Sequence, residues 1–348
     1  MRSYFTKAAV IAAIMAIVLP IGLFAGGGGE KGPAMKAGGQ KYAIVFKNTG
    51  NPYGDKQMGG FKAGIEEQGF EAILRAPDQP TAEAQIQILE QLISQKVVSI
   101  CIVGNDFDAL QPVLKKAMAQ GIKVFSLDSA VNPASRLTHV NQADSEKIGR
   151  TLIQAAYDMI GGKGEIAILS ATSQASNQNL WIEYMKKELA DPKYANVKLV
   201  KIAYGDDLRD KSVSEAEGLL RTYPNLKCII APTTVGIAAA GKVLTDKGLK
   251  GKVFLTGLGL PSEMATYIEN GVCPYMFLWN PIDVGYLGAF TGVALVKGTI
   301  KGAVGDKFTA GRLGDYTVVK AADGGTEILL GPPFKFDKAN IGEWKTVY

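Results

Sequence analysis

Side chains able to do chemistry gather at the ends of short apolar runs in this chain. The clearest is Asp128, which closes the run IKVFSLDS (122–129). Both faces of that run are apolar, so it reads as a buried parallel strand. The carboxyl edge of such a strand is where open α/β sheets bind ligands. With two acceptor oxygens and no nearby sequence partner, Asp128 suits gripping the vicinal hydroxyls of a small polar ligand; its other reading is a helix cap or turn residue.

The remaining strand ends supply matching groups. Lys47, Asn48, Asn51 and Tyr53 follow the first apolar run, and Asn105 follows the third. Further along come Asn177 and Gln178 with Trp181, then Pro232, Thr233 and Thr234, then Trp279 and Asn280. Amides, hydroxyls, one carboxylate and one ammonium can bond the hydroxyls of a neutral polyol, while rings cover its C–H faces. No arginine cluster or glycine-rich helix start is offered to a phosphate. Each residue has an ordinary alternative: Asn48 and Asn51 as turn residues, Ser176 or Asn177 as a cap, Trp181 as core, Lys47 as a surface charge. The convergence of several loops on one edge carries the binding reading.

Other chemistries lack their residues. No G-x-S-x-G, H-E-x-x-H, P-loop or G-x-G-x-x-G motif occurs. His139 is the one histidine, which excludes a His-based triad or a His-rich metal site. The segment Asp206-Asp207-Leu208-Arg209-Asp210 reads as a solvated turn before a helix. No second strand-end carboxylate obviously partners Asp128, which disfavours glycoside cleavage. We therefore expect no catalytic residue, no metal and no cofactor.

The elements that must place these groups repeat as strand then helix. Apolar residues are 47% and charged residues 20% of 348, and the net charge of +5 is too mild to argue for nucleic acid. A first β-α series runs from Lys41 to Asp128. Its helices carry Met58, Phe61 and Ile65; Ala82, Ile86, Leu89 and Ile93, capped by Thr81; and Leu110, Leu114 and Met118. After a short extended link over 138–142, a second series follows to Asn270. The expectation is an α/β fold of two doubly wound parallel-sheet lobes joined by a hinge. The lobes are expected over 41–139 plus about 279–304, and over 140–278 plus about 305–348. The segment Pro281 to Lys297, with Gly285 and Gly288, is too short for a membrane span and reads as a packing helix. Cys101 and Cys228 lie in strand-like runs and are expected to be buried free thiols. Arg2 and Lys7 precede an apolar run ending near Ala25, which describes a secretory signal over 1–25; 26–40 reads as a flexible spacer.

The segments KNTGNPYG (47–54), VFSLDS (124–129), VNQAD (140–144), SNQNLWIEYMKKELADP (176–192), IIAPTTVGIAAA (229–240), TGLGLPSEM (256–264) and LWNPIDVGY (278–286) resemble periplasmic sugar-binding proteins of the type I, ribose-binding class. Within that class they are most similar to rhamnose-binding proteins and to relatives that bind a furanosyl autoinducer. The resemblance implies that Lys47, Asp128, Asn177-Gln178, Pro232 and Thr234 hold the ligand. Asn177 stands where the autoinducer binders carry a carboxylate, and Thr234 where they carry a small apolar residue. Both departures favour a deoxyhexose such as rhamnose, with the autoinducer or another pentose or hexose as the alternative. Ser129 replaces the arginine of ribose-type relatives, which argues against ribose. The implied partners are a small neutral sugar and an ABC transporter permease, with the binding protein a monomer. The implied location is the periplasm or the cell exterior. A sugar-sensing subunit for a membrane receptor would share the same pocket.

Overall fold

The computed structural model describes residues 39–348. The leader expected over 1–25, and the spacer expected over 26–40 as far as residue 38, lie outside the described residues.

The first series comprises β1 (Lys41–Val45), α1 (Pro52–Glu67), β2 (Glu71–Arg75), α2 (Ala82–Ser94), β3 (Ser99–Ile102), α3 (Gln111–Ala119), β4 (Lys123–Leu127) and β5 (His139–Asn141). The second comprises α4 (Ser145–Met159), β6 (Gly164–Ser170), α5 (Ser176–Leu189), β7 (Val197–Tyr204), α6 (Arg209–Thr222), β8 (Leu226–Ala231), α7 (Thr234–Asp246), β9 (Phe254–Gly257), α8 (Pro261–Glu269) and β10 (Tyr275–Leu278). The chain ends with α9 (Pro281–Lys297), β11 (Lys307–Thr309), β12 (Asp315–Thr317), β13 (Val319–Lys320), β14 (Thr326–Leu329), β15 (Phe334–Asp337) and α10 (Ile341–Trp344).

Two sheets organise these elements. The first has the order β13-β14-β5-β4-β3-β1-β2, parallel except for the β13-β14 pair. The second runs β7-β6-β8-β9 in parallel, and a Leu258–Phe277 bridge leads on to the antiparallel pair β10-β15. The expected α/β architecture with parallel sheets is therefore present.

Alternation along β1 shows how both faces of the first sheet are filled. Tyr42 and Ile44 pack with Phe61 and Ile65 of α1 and with Val284 and Leu287 of α9. Ala43 and Val45 face the other way, into a cluster with Leu89 and Leu92 of α2 and Val113 and Leu114 of α3. Side chains two apart share a face of a strand, so a run buried on both sides must be apolar throughout. Each such large side chain removed from water contributes roughly 1.5–3 kcal/mol. Edge strand β7 instead exposes Lys198 and Lys201 and fully buries Ala203 alone.

Helix starts match their sequence signals. Asn51 caps α1 by accepting from Tyr53 N, with Pro52 in the first turn. Thr81 caps α2 and Asp144 caps α4. The cysteines Cys101, Cys228 and Cys273 are buried and free, their thiols pushed up by burial. Among the described residues no helix is long and apolar enough to cross a membrane.

Two expectations need correction. The C-terminal segment was assigned to the second lobe as a block, yet β13 and β14 extend the first sheet: Ile328 pairs with Val140, and only β15 returns to the second. The segment splits because Thr326–Leu329 covers the open edge of β5. The chain passes between the sheets three times, after β5, after β10 and after β14; the sequence boundaries place the third crossing near 304, ahead of β11 rather than after β14. Arg136, buried before β5, pairs with Asp323 at 2.6 Å and fastens the β13-β14 turn to this lobe. The second correction is His139, which is no linker residue but a buried member of β5.

His139 Nδ1 lies 2.9 Å from Ser126 Oγ. Burial, then the Arg136 charge, holds its pKa well below the usual 6.5. The folded protein therefore takes up its proton later than the unfolded chain does as pH falls. Stability is undiminished above about pH 6.5 and falls as pH drops below it. His139→Gln should flatten the dependence of the thermal midpoint on pH between 7 and 5. An unaltered slope in that variant would remove His139 as its source.

Candidate ligand site

The cleft between the two sheets is built from strand ends, and its geometry begins with buried scaffolding. Gln85, fully buried in α2, donates to the carbonyls of Phe46 (3.0 Å) and Val103 (2.8 Å) and accepts from Asn105 N (2.9 Å). Asn105 Nδ2 then donates to the Lys47 carbonyl at 2.8 Å. These bonds fix the loop after β1, so Lys47 enters the cleft from a rigid base.

Asp128 is the hub. Its φ of +63° places it in the left-handed region, which aspartate tolerates better than most residues. The resulting bend at the end of β4 turns its carboxylate into the cleft. Oδ2 accepts from Tyr53 Oη at 2.5 Å and from Gln57 Nε2 at 3.2 Å; Oδ1 accepts from Asn177 Nδ2 at 2.7 Å. Asn177 Oδ1 in turn accepts from Lys47 Nζ at 3.3 Å. Asn177 belongs to α5 and the other two to the first sheet's loops, so this chain of bonds bridges the cleft. Trp279 Nε1 donates to Tyr53 Oη at 2.6 Å. Burial, and then the Asp128 charge, raises the Tyr53 phenol well above its usual value, keeping it a neutral donor.

The far wall is apolar and aromatic. Trp181 and Trp279 meet at 5.9 Å between ring centroids, tilted 60°, with Phe46, Leu258 and Leu278 alongside. Trp181 Nε1 is buried with no hydrogen-bond partner. The side chains nearly fill the cleft, leaving about 40 Å³ of free space for water-sized molecules.

Of the residues singled out in the sequence, Lys47, Tyr53, Asp128, Asn177, Gln178, Pro232, Thr233 and Thr234 line this cleft. Gln178 is anchored to its own sheet, accepting from Ser170 Oγ and Ala171 N. Three residues do not line it. Asn48 is buried beside it and donates to the Thr49 carbonyl. Asn105 is spent on holding the Lys47 and Thr81 backbones. Asn280 turns away and caps α9, accepting from Ile282 N at 3.0 Å. An amide at a strand end has two uses, and here the backbone claimed it.

Two residues of the site escaped the sequence reading: Gln57, buried behind the cleft and bonded to Asp128, and Asp207, which lines it. Gln57 lies one helical turn after Tyr53, and that i, i+4 spacing was its signal. Trp181, which the sequence offered both as a stacking ring and as core, is buried, and its edge forms cleft wall. Asp207 is the larger miss. It is 8% exposed, lines the cleft, and shares a hydrogen bond with the Thr233 hydroxyl. Of the pair read as a solvated turn, only Asp206 fits that description, paired with Lys211. Burial raises the Asp207 carboxyl above its usual range, and the Lys47 charge opposes this.

Two parallel-sheet lobes, three crossings and a polar cleft at the strand ends define a bilobed ligand-binding protein. The chain belongs to the periplasmic binding protein domain family, matched over residues 42–300. It is 51% identical, at a TM-score of 0.88, to an ABC transporter solute-binding protein from Clostridium phytofermentas solved with bound L-rhamnose, over 89% of this chain and 99% of that one. It shares its fold with LsrB from Clostridium saccharobutylicum in complex with AI-2: TM-score 0.82, 22% identity, 87% of this chain and 99% of that one. A D-ribose/D-allose-binding protein of Pseudomonas aeruginosa is 25% identical over 66% of this chain and 74% of its own length.

Proposed function

We propose that this protein captures a neutral monosaccharide, L-rhamnose foremost, between its lobes and delivers it to an ABC permease after export through its N-terminal leader. It acts as a binding protein and carries out no reaction on the sugar. The observation that carries this reading is the Lys47–Asn177–Asp128 bridge across the cleft, facing the Trp181–Trp279 wall. Amide, ammonium and carboxylate suit the hydroxyls of a pyranose, and the rings and leucines suit the methyl and C–H face of a 6-deoxy sugar. The bound L-rhamnose of the half-identical relative supports the same choice. Asn177 of the second lobe already bonds Lys47 and Asp128 of the first, so the sugar is held in this closed arrangement and the three crossings bend to open it.

The test is calorimetry and thermal unfolding of the mature protein against L-rhamnose, D-ribose, D-galactose and the furanosyl autoinducer. L-rhamnose should bind most tightly. At a hundredfold excess over its dissociation constant it should stabilise the fold by about 2.7 kcal/mol, with a change in Trp181 and Trp279 fluorescence. Preference for the autoinducer would move the assignment to that ligand. No response to any of the four at millimolar concentration would remove the sugar reading.

A further inference from the structure

Resting on that reading, we propose that Asp207 is a second ligand-gripping carboxylate, supplied by the opposite lobe from Asp128, and that the pair confines the site to uncharged polyols and rejects sugar acids.

Asp207 follows β7 as Asp128 follows β4, each just past the carboxyl end of a parallel strand. Both adopt positive φ, +53° and +63°, and both are buried, at 8% and 6% exposure. Their hydrogen bonding differs in a telling way. Both oxygens of Asp128 are occupied by Tyr53, Gln57 and Asn177. Asp207 uses Oδ1 on Thr233, and its Oδ2 makes no hydrogen bond among the described residues. A buried carboxylate kept for structure is normally saturated with donors. One left with an open oxygen in a ligand cleft is placed to receive a hydroxyl. Because Asp207 and Thr233 belong to the second lobe, that bond can form together with those to Asp128 only when the lobes are closed.

The charges along the cleft set the ligand class. Among the described residues Lys47 is the one cation lining it, against two carboxylates. A neutral polyol satisfies this set by donating to both aspartates. An aldonate or uronate brings a third negative charge into a site of low polarisability, where like charges repel strongly.

The unliganded protein should show the corresponding strain. Lys47 and Asp128 face Asp207 from the first lobe, Asp206 precedes it and Thr233 touches it. Burial outweighs Lys47, so the folded carboxyl releases its proton at higher pH than the unfolded one. Above that window its charge destabilises the empty protein. Asp207→Asn should therefore raise the unliganded thermal midpoint at pH 7.5 while weakening L-rhamnose binding about 10- to 100-fold. A carboxylate needed only for structure would lower the midpoint instead.

The experiment is calorimetry with L-rhamnose and L-rhamnonate, from pH 5 to 8, on wild type, Asp207→Asn, Asp207→Ala and the surface control Asp206→Asn. Support consists of weaker L-rhamnose binding with a raised midpoint in Asp207→Asn, at least a tenfold narrower preference over L-rhamnonate, and a flatter pH profile than wild type. Asp206→Asn should behave as wild type. L-rhamnose affinity within twofold of wild type in both Asp207 variants overturns the inference and leaves the sugar reading standing. So does failure of both to fold, which would make Asp207 structural. A wild type that binds none of the neutral sugars overturns both.

Discussion

Asp128→Ala should weaken L-rhamnose binding by about a hundredfold, as measured by calorimetry; this is the loss of the one charge-assisted hydrogen bond that its remaining lone pair can accept from the sugar, together with the network that shapes the cleft. The effect has a second part. Asp128 is the acceptor for Tyr53, Gln57 and Asn177, and removing it leaves three donors facing one another in a buried space. Tyr53 would still accept from Trp279 and Gln57 but would lose the acceptor for its own hydroxyl. The unliganded thermal midpoint should fall as well, the opposite sign to that expected for Asp207→Asn. The two aspartates differ in sign because one is saturated with donors and the other is not. Asp128→Asn, which preserves shape, should lose most of the affinity with a smaller loss of stability. Binding within fivefold of wild type in the alanine variant would detach the ligand from this end of the cleft.

Gly285→Ala should destabilise the fold by about 3 kcal/mol or more, at the upper end for overpacking a tight interior. A Cβ at Gly285 would stand 1.8 Å from the Gln57 carbonyl oxygen and 2.7 Å from Phe61 N. Reciprocally, a Cβ at Gly60 would meet the Ile282 carbonyl oxygen at 2.0 Å. The obstacle is backbone on both sides, so no rotamer change relieves it; α1 and α9 would have to move apart. Glycine lowers the helix propensity of α1 and α9 at these positions by about 1 kcal/mol each, and close approach compensates. Because α1 carries Tyr53 and Gln57, any folded fraction of the variant should also bind sugar poorly. Urea denaturation measures the first effect and calorimetry the second. A variant as stable as wild type would show that the helices have slack at this crossing.

The βα alternation was legible because buried parallel strands must be apolar on both faces, which makes them short dense runs such as YAIV of β1 and SICI of β3. Asp128 was legible for the same reason: it is the first charge after such a run. Asp207 follows a strand that lies at a sheet edge and alternates with lysines, VKLVKIAY, so the aspartates after it looked like more surface. What hid it was the neighbouring lobe, whose Lys47 and Asp128 bury a turn that would otherwise be wet. Asn280 failed in the other direction. Its amide looked available, but a helix beginning with Pro281 needed a cap, and a local hydrogen bond wins over a distant ligand. The packing of α9 was readable from its small residues, whereas its fit against Gly60 depends on a contact between helices more than two hundred positions apart.

The joining of Thr326–Leu329 to His139–Asn141 bears on how the molecule is made. Until that stretch is in place, the lobe whose strands come first in the chain has one border bare. Only then does the returning tail seal it and pass on to finish the other half. The two halves therefore share a finishing segment, and cutting the chain ahead of Thr326 would leave both with an open border.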